Sequence, residues 1–129
     1  MDRKFIMSAF GYAIVGMCLG IFMAASKNHG QLVTHAHVML VGFLLSFAYA
    51  LCHKLWLGNP AAGLAKVQYY IHQAGALLMA VGLFILYGQF MTPEAIEPVL
   101  SSSSLLVLVG MVLMKVMFLR SARAAAPQA

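Results

Sequence analysis

The sequence predicts an all-α fold, a four-helix bundle embedded in a membrane, on three observations. The chain of 129 residues is 63% hydrophobic and only 9% charged, which is typical of integral membrane proteins. Four apolar runs each reach the roughly 20 residues that a helix needs to cross about 30 Å of hydrocarbon. Irregular backbone cannot face lipid, because its polar groups would lack hydrogen-bond partners, so these runs are expected to be helices.

The four predicted spans cover residues 5–25, 32–57, 67–90 and 99–119. Only short connectors remain between them, so residues 1–129 are predicted to form a single transmembrane domain. The first span is longer than the apolar part of a signal peptide, about 7–15 residues, and is therefore interpreted as a retained helix. The two cysteines lie in different spans without redox-motif spacing, and are interpreted as small apolar residues.

The basic residues cluster at the span ends that would share one side of a membrane: Arg3, Lys4, Lys54, Lys66, Arg120 and Arg123. Lys27, Glu94 and Glu97 fall at the opposite ends. The positive-inside rule therefore predicts cytoplasmic termini, N-in and C-in. A bacterial inner membrane is the expected location. The net charge of +5 does not indicate nucleic acid, because no basic stripe follows a helix. The lipid bilayer is the predicted partner.

Two histidines, His35 and His37, stand at the head of the second span. Imidazole is costly to place in hydrocarbon unless it has a partner, so ionisable residues within a span are functional candidates. The usual partners are a metal ion, a haem iron or another polar side chain. The alternative is a histidine at headgroup level with no function.

The helical repeat predicts that the side chains of His35 and His37 point in different directions. At 100° per residue, His35 shares one face with Gly42, Ser46, Tyr49 and His53, and this small, weakly polar face is expected to look into the bundle. His37 points nearly the opposite way. It must therefore meet another helix, another protomer or the headgroup region.

Depth separates the five histidines into two groups. A rise of about 1.5 Å per residue places His35 and His53 about 27 Å apart, so the histidines cannot all bind one metal ion. The spacing predicts an outer site of His35 and His37, with His29 and Met39 nearby. It also predicts an inner site of His72, with His53 as a second candidate.

The third span carries the small residue Gly75 and the thioether of Met79 on the His72 face. Small residues beside a histidine leave a slot for a flat macrocycle, and they equally suit a helix–helix contact. Met79 lies about two turns from His72, towards the level of His37 and Met39, which leaves a His/Met iron pair open. Thioethers also suit Cu(I), although most of the ten methionines are expected to be apolar fillers.

The stretches HAHVMLVG at residues 35–42 and YALCHKLW at residues 49–56 together resemble helix ten of the catalytic subunit of haem–copper oxidases and nitric oxide reductases. In that family the first histidine binds the high-spin haem and the second the low-spin haem. The resemblance implies that His35 and His37 are haem ligands and that Gly42 belongs to the same motif. YIHQAG at residues 70–75 is similar to a second signature, in small four-span relatives of this subunit.

The resemblance is incomplete. The oxidase subunit has about twelve spans, and its copper-binding histidines have no counterpart in this chain. Oxygen reduction at a binuclear centre is therefore not predicted, and enzymatic activity is left open. The resemblance implies a protein that binds haem b and either transfers electrons with a quinol or a redox protein or binds a diatomic gas. A homo-oligomer is predicted as well, because four helices hardly enclose a porphyrin on all sides and His37 points out of its own bundle. Two alternatives are a copper-binding or oxidase-assembly protein, and a non-catalytic interaction subunit with hydrogen-bonded histidines.

Overall fold

The structure of the protein, a computed structural model, describes residues 1–125 and is built from four helices. They are α1 (Asp2–Ser26), α2 (Leu32–Leu55), α3 (Ala62–Tyr87) and α4 (Pro93–Ala125). Each is long and apolar enough to cross a membrane, and residues 1–125 contain no β-strand. The prediction of an all-α chain with four potential membrane spans is confirmed.

The helices α3 and α4 begin earlier than the predicted spans, because hydropathy marks the hydrocarbon-length segment and not the helix ends. Helix α3 begins at Ala62, five residues before the predicted span. Helix α4 begins at Pro93, whose fixed φ and missing N–H suit a first helical position. The Thr92 hydroxyl accepts a hydrogen bond from Ala95 N at 3.3 Å and so caps this end.

Successive helices run antiparallel and are joined by short connectors. Helix α1 packs along α2, helix α3 packs along α4, and α2 also contacts α3. The start of α1, the end of α2, the start of α3 and the end of α4 therefore share one end of the bundle. This end, here called the basic end, carries Arg3, Lys4, Lys54, Lys66, Arg120 and Arg123.

Glycines bring α1 and α2 into close contact. A methyl group on Gly20 would lie 3.0 Å from the Cε1 atom of His35, and one on Gly42 would lie 2.6 Å from the ring of Tyr12. Gly16 faces Met39 in the same way. Small residues at such positions allow helix backbones to approach closely, which is how spans associate in lipid.

The contact between α3 and α4 is equally tight. A methyl group on Gly75 would lie 2.9 Å from the backbone nitrogen of Val107 and 2.9 Å from Cβ of Leu106. Gly110 of α4 packs in turn against the backbone and Cβ of His72. Of the two interpretations that the sequence allowed for Gly75, the structure shows the helix–helix contact.

The buried core lies nearer the basic end, where α1 and α2 meet α3 and α4. Its members are Phe5, Tyr49, Ala50, Leu57, Ala65, Met114 and Met117. Large apolar side chains on the outer faces are exposed, including Ile21, Leu44 and Leu105. Such extensive apolar exposure is unusual for a soluble monomer and suits contact with lipid or another subunit.

Helix α2 contains a π-helical segment, Val38–Leu44, directly after His37. In a π-helix each N–H bonds to the carbonyl five residues earlier, which widens the turn, and such segments often occur at functional sites. The face predicted from a regular helix is nevertheless preserved, since Gly42, Ser46 and Tyr49 are all buried. The inward direction is confirmed for these three residues, whereas His35 and His53 at the two ends of the predicted face are half-buried.

We expect Gly75→Ala to destabilise the α3–α4 contact, because the added methyl group meets the backbone of Val107, which cannot rotate away. Overpacking of this kind costs about 1–3 kcal/mol. Unfolding in mixed micelles with increasing dodecyl sulfate measures the loss. Gly11→Ala is the matched control, since a methyl group there meets nothing within 4 Å, and equal stability of the two variants would contradict this packing.

Candidate functional site

The imidazole ring of His35 is hydrogen-bonded to the backbone of α1. Its Nδ1 lies 2.8 Å from the carbonyl oxygen of Gly16, so Nδ1 carries the hydrogen and donates it. In a neutral imidazole this leaves the lone pair on Nε2. The ring is half-buried and occupies the space that Gly20 leaves open.

His37 also carries its hydrogen on Nδ1, but the acceptor lies in its own helix. Its Nδ1 donates a hydrogen bond to the carbonyl oxygen of Val33, one turn earlier in the same helix, at 2.8 Å. The ring is half-buried, and Leu40, Leu44 and Leu51 on the same predicted flank are exposed. The Nε2 lone pair of His37 is therefore available on a flank where exposed leucines predominate.

The predicted outer residues do not converge on one point within the chain. His35 turns to α1, His37 bonds along its own helix, and His29 lies in the exposed connector after α1. Met39 packs against Gly16 on α1. Within residues 1–125, no three His, Cys, Asp or Glu side chains form a group that could hold a metal ion.

His72 lies at the centre of a buried polar cluster between α2, α3 and α4. It is fully buried, and its Nε2 lies 3.1 Å from Ser46 Oγ, a hydrogen bond in which either atom can donate. The Tyr49 ring meets the imidazole edge-on at 5.0 Å between centroids. Among the described residues, His72 Nδ1 has no hydrogen-bond partner.

Gln68 lies one turn before His72 and belongs to the same cluster. Its side-chain Nε2 donates to the carbonyl oxygen of Gly110 at 3.3 Å. Its Oε1 is buried and has no partner within residues 1–125. Unpaired buried polar atoms are costly, so this cluster lowers the stability of the bundle.

His53 and His72, the predicted inner pair, lie in the same region of the core, but their rings do not converge on one metal position. The Phe5 ring stacks on His53 at 5.5 Å and lies 6.2 Å from His72 between ring centroids. An aromatic side chain thus contacts both imidazoles, and His72 Nε2 is directed to Ser46. Sequence reasoning missed Phe5, because nothing in a lone apolar residue signals this position.

Met79 stands where the sequence placed it relative to His37. Two contacts fix the register of α3 against α2, from Gln31 Nε2 to the carbonyl oxygen of Phe84 and from Ser46 to His72. This register brings Met79 to the level of His37. The side chain of Met79 is half-buried.

The acceptors that fix the outer histidines were not identified from the sequence. Thr34 precedes His35 in the chain, but its hydroxyl donates to Gln31 Oε1 at 2.6 Å. The carbonyls of Gly16 and Val33 take that role. A carbonyl one turn earlier is a general option for any helical residue, whereas Gly16 becomes available only through the packing of α1 on α2.

Comparisons of this chain with protein-family models, with curated proteins and with solved structures found no match.

We expect Ser46→Ala to lower the stability of the bundle, because it leaves the buried His72 ring without its hydrogen bond. Loss of one partner of a buried polar group costs about 1–3 kcal/mol. The free energy of unfolding in mixed micelles is the measurement. Ser102→Ala is the control, because Ser102 is exposed and bonds only to Pro98 of its own helix; a comparable loss there would contradict a special role for Ser46.

Proposed function

We propose that this protein binds haem b in a bacterial inner membrane as a homo-oligomer, with His37 and His35 as its first ligand candidates. One observation carries the proposal: both rings donate Nδ1–H to a backbone carbonyl at 2.8 Å. Metal-bound histidines usually donate their second ring nitrogen to such an acceptor, which fixes the tautomer and raises the basicity of the ligating nitrogen. Haem iron is commonly held by histidine in this form.

His37 is the stronger of the two candidates. Its ring is hydrogen-bonded to its own helix, whereas the ring of His35 is hydrogen-bonded to α1 and packs against it. The exposed leucines on its flank, Leu40, Leu44 and Leu51, are suited to the apolar edges of a porphyrin. One chain cannot enclose a macrocycle on that open flank, so a second copy is proposed to cover it.

The second axial position has several candidates. His35 is two residues away but points to another side of the helix, so it would serve a different haem or a rearranged α2. Met79 lies at the level of His37 on the neighbouring helix, and a His/Met pair is a known way to hold haem iron. A position left open would instead suit a diatomic gas.

His72 has less support as a ligand than the outer pair. Its Nε2 is paired with Ser46, and Gly110 and Tyr49 pack against the imidazole. Gly42 faces the Tyr12 ring and Gly75 faces α4. These two glycines therefore support the protein scaffold around the histidines, and a macrocycle beside them would have to displace an aromatic ring or a helix.

Haem, when bound, supplies reversible one-electron chemistry or a gas-binding iron. We accordingly propose a role in electron transfer, with a quinol or a redox protein as partner, or in the binding of a diatomic gas. The copper-binding or oxidase-assembly alternative has less support, because Met39 packs against Gly16 and the predicted outer ligands do not form a three-residue metal group within residues 1–125.

We expect the protein purified from haem-replete cells to show a Soret absorption band. His37→Ala should lower the haem content per chain more than tenfold, because it removes the outward Nε2 ligand. His29→Ala is the matched control, since His29 lies in an exposed connector, and it should retain the wild-type spectrum. Absorption spectra together with iron and copper analysis provide the measurement.

The same experiment separates the alternatives. A folded, colourless wild-type protein without iron would contradict the haem proposal. Copper without iron would support the assembly alternative. An interaction subunit would bind neither metal, and His35→Ala and His37→Ala would then change only its stability.

The charge separation between the two ends supports an N-in, C-in orientation, since the basic end holds most of the Lys and Arg residues. We expect a green fluorescent protein fused to the C-terminus to fluoresce and an alkaline phosphatase fused there to be inactive. Fusions placed in the connector 88–92 should give the opposite pair of results. Phosphatase activity at the C-terminus would contradict this orientation.

A further inference from the structure

An open cavity of about 430 Å³ lies between α1 and α3 at the basic end. It is lined by Arg3, Lys4, Met7, Ser8, Tyr69 and Tyr70. This cavity lies apart from the outer histidines, because it is at the other end of the bundle. It is also separate from the buried His72 cluster, whose residues do not line it.

The aromatic wall of the cavity fixes the position of one cation. Lys4 Nζ lies 6.0 Å from the ring centroid of Tyr69 and 5.8 Å from that of Tyr70. The two rings meet edge to face at 5.1 Å. Ser8 Oγ lies 2.7 Å from the Tyr69 hydroxyl. These contacts hold the ammonium group over the rings at a distance typical of cation–π pairs.

The two cations that line the cavity, Arg3 and Lys4, have no carboxylate beside them in its wall. Neither forms a salt bridge within the described residues. The adjacent Asp2 lines two other cavities at this end, one of them together with Arg3, and its carboxylate lies 3.7 Å from the amino group of Met1. Two cations without a salt-bridge partner, beside tyrosine hydroxyl groups, are complementary to a phosphate diester.

The surroundings of the cavity suit the rest of a lipid molecule. Towards the middle of α1 the exposed face continues through the large apolar side chains Met7, Phe10 and Ile14, which are 69%, 50% and 60% exposed. Tyrosines are enriched at headgroup level, and Tyr70 is itself 58% exposed. Basic pockets between spans are a common mode of anionic-lipid recognition.

We propose that this cavity binds one anionic phospholipid, with its phosphate between Arg3 and Lys4 and its acyl chains along Met7 and Phe10. The proposal is independent of haem binding. Binding requires both the two cations and the apolar side chains of Met7 and Phe10. A neutral phospholipid and a free phosphate ester should therefore each bind less tightly than an anionic phospholipid.

Native mass spectrometry of the full chain, delipidated in a mild detergent, tests this directly. We expect phosphatidylglycerol to bind at least tenfold more tightly than phosphatidylcholine with the same acyl chains. Glycerol 3-phosphate should not compete at millimolar concentration, because it lacks the acyl chains. Equal binding of the two phospholipids, or full competition by glycerol 3-phosphate, would overturn the proposal.

Variants that remove charges show where the phospholipid binds. The double variant Arg3→Gln/Lys4→Gln should weaken phosphatidylglycerol binding about tenfold. Arg120→Gln/Arg123→Gln removes the same charge from the same end and should change binding less than twofold. Equal losses in both would show general attraction to the basic end and would contradict a discrete site.

A third variant keeps every charge and covers the case in which the double variant does not fold. Tyr70→Leu removes one of the two rings beneath Lys4 and should weaken phosphatidylglycerol binding several-fold. Unchanged affinity in this variant would contradict the arrangement of Lys4 over the two tyrosines.

Discussion

The hydrogen bonds that orient the histidines of the four helices come from the protein itself, and the arrangement of the candidate site depends on them. The helices satisfy their own backbone, so the side chains that cannot pair elsewhere turn to backbone carbonyls. His35 takes the carbonyl of Gly16 and His37 that of Val33. One requirement thereby fixes the two ring tautomers, leaves a lone pair on each Nε2, and gives these histidines the form in which imidazole binds metals.

Close helix packing and histidine orientation depend on the same glycines. Gly20 leaves the space that the His35 ring fills, and Gly16 lies one turn away with the carbonyl that this ring contacts. Between α3 and α4, Gly110 packs on His72, and the carbonyl oxygen of Gly110 accepts a hydrogen bond from Gln68. A change that separated α1 from α2 would therefore free His35, so helix association and the proposed ligand geometry are one structural property.

The features that depend on composition and period could be predicted from the sequence. Apolar length identified the four helices, and the helical repeat identified the buried face of Gly42, Ser46 and Tyr49. The starts of α3 and α4 were placed five or six residues too late, because helices begin before hydrocarbon-length segments, whereas the predicted end of α3 lies three residues beyond Tyr87. The position of Phe5 between two histidines and the carbonyl of Gly16 as an acceptor arise from tertiary contact, which the helical period does not encode. No sequence signal marked the π-helical segment.

The histidines differ in how far the rest of the chain encloses them. His72 is surrounded on its α2 side by Ser46 and on its α4 side by Gly110, and this enclosure makes it a component of the scaffold. His37 lies on a flank that the chain itself leaves uncovered, beside a π-helical turn that widens α2 at that point. The proposed cofactor, shared with a second copy, would reach His37 without disturbing the core, whereas a cofactor at His72 would require the core to open.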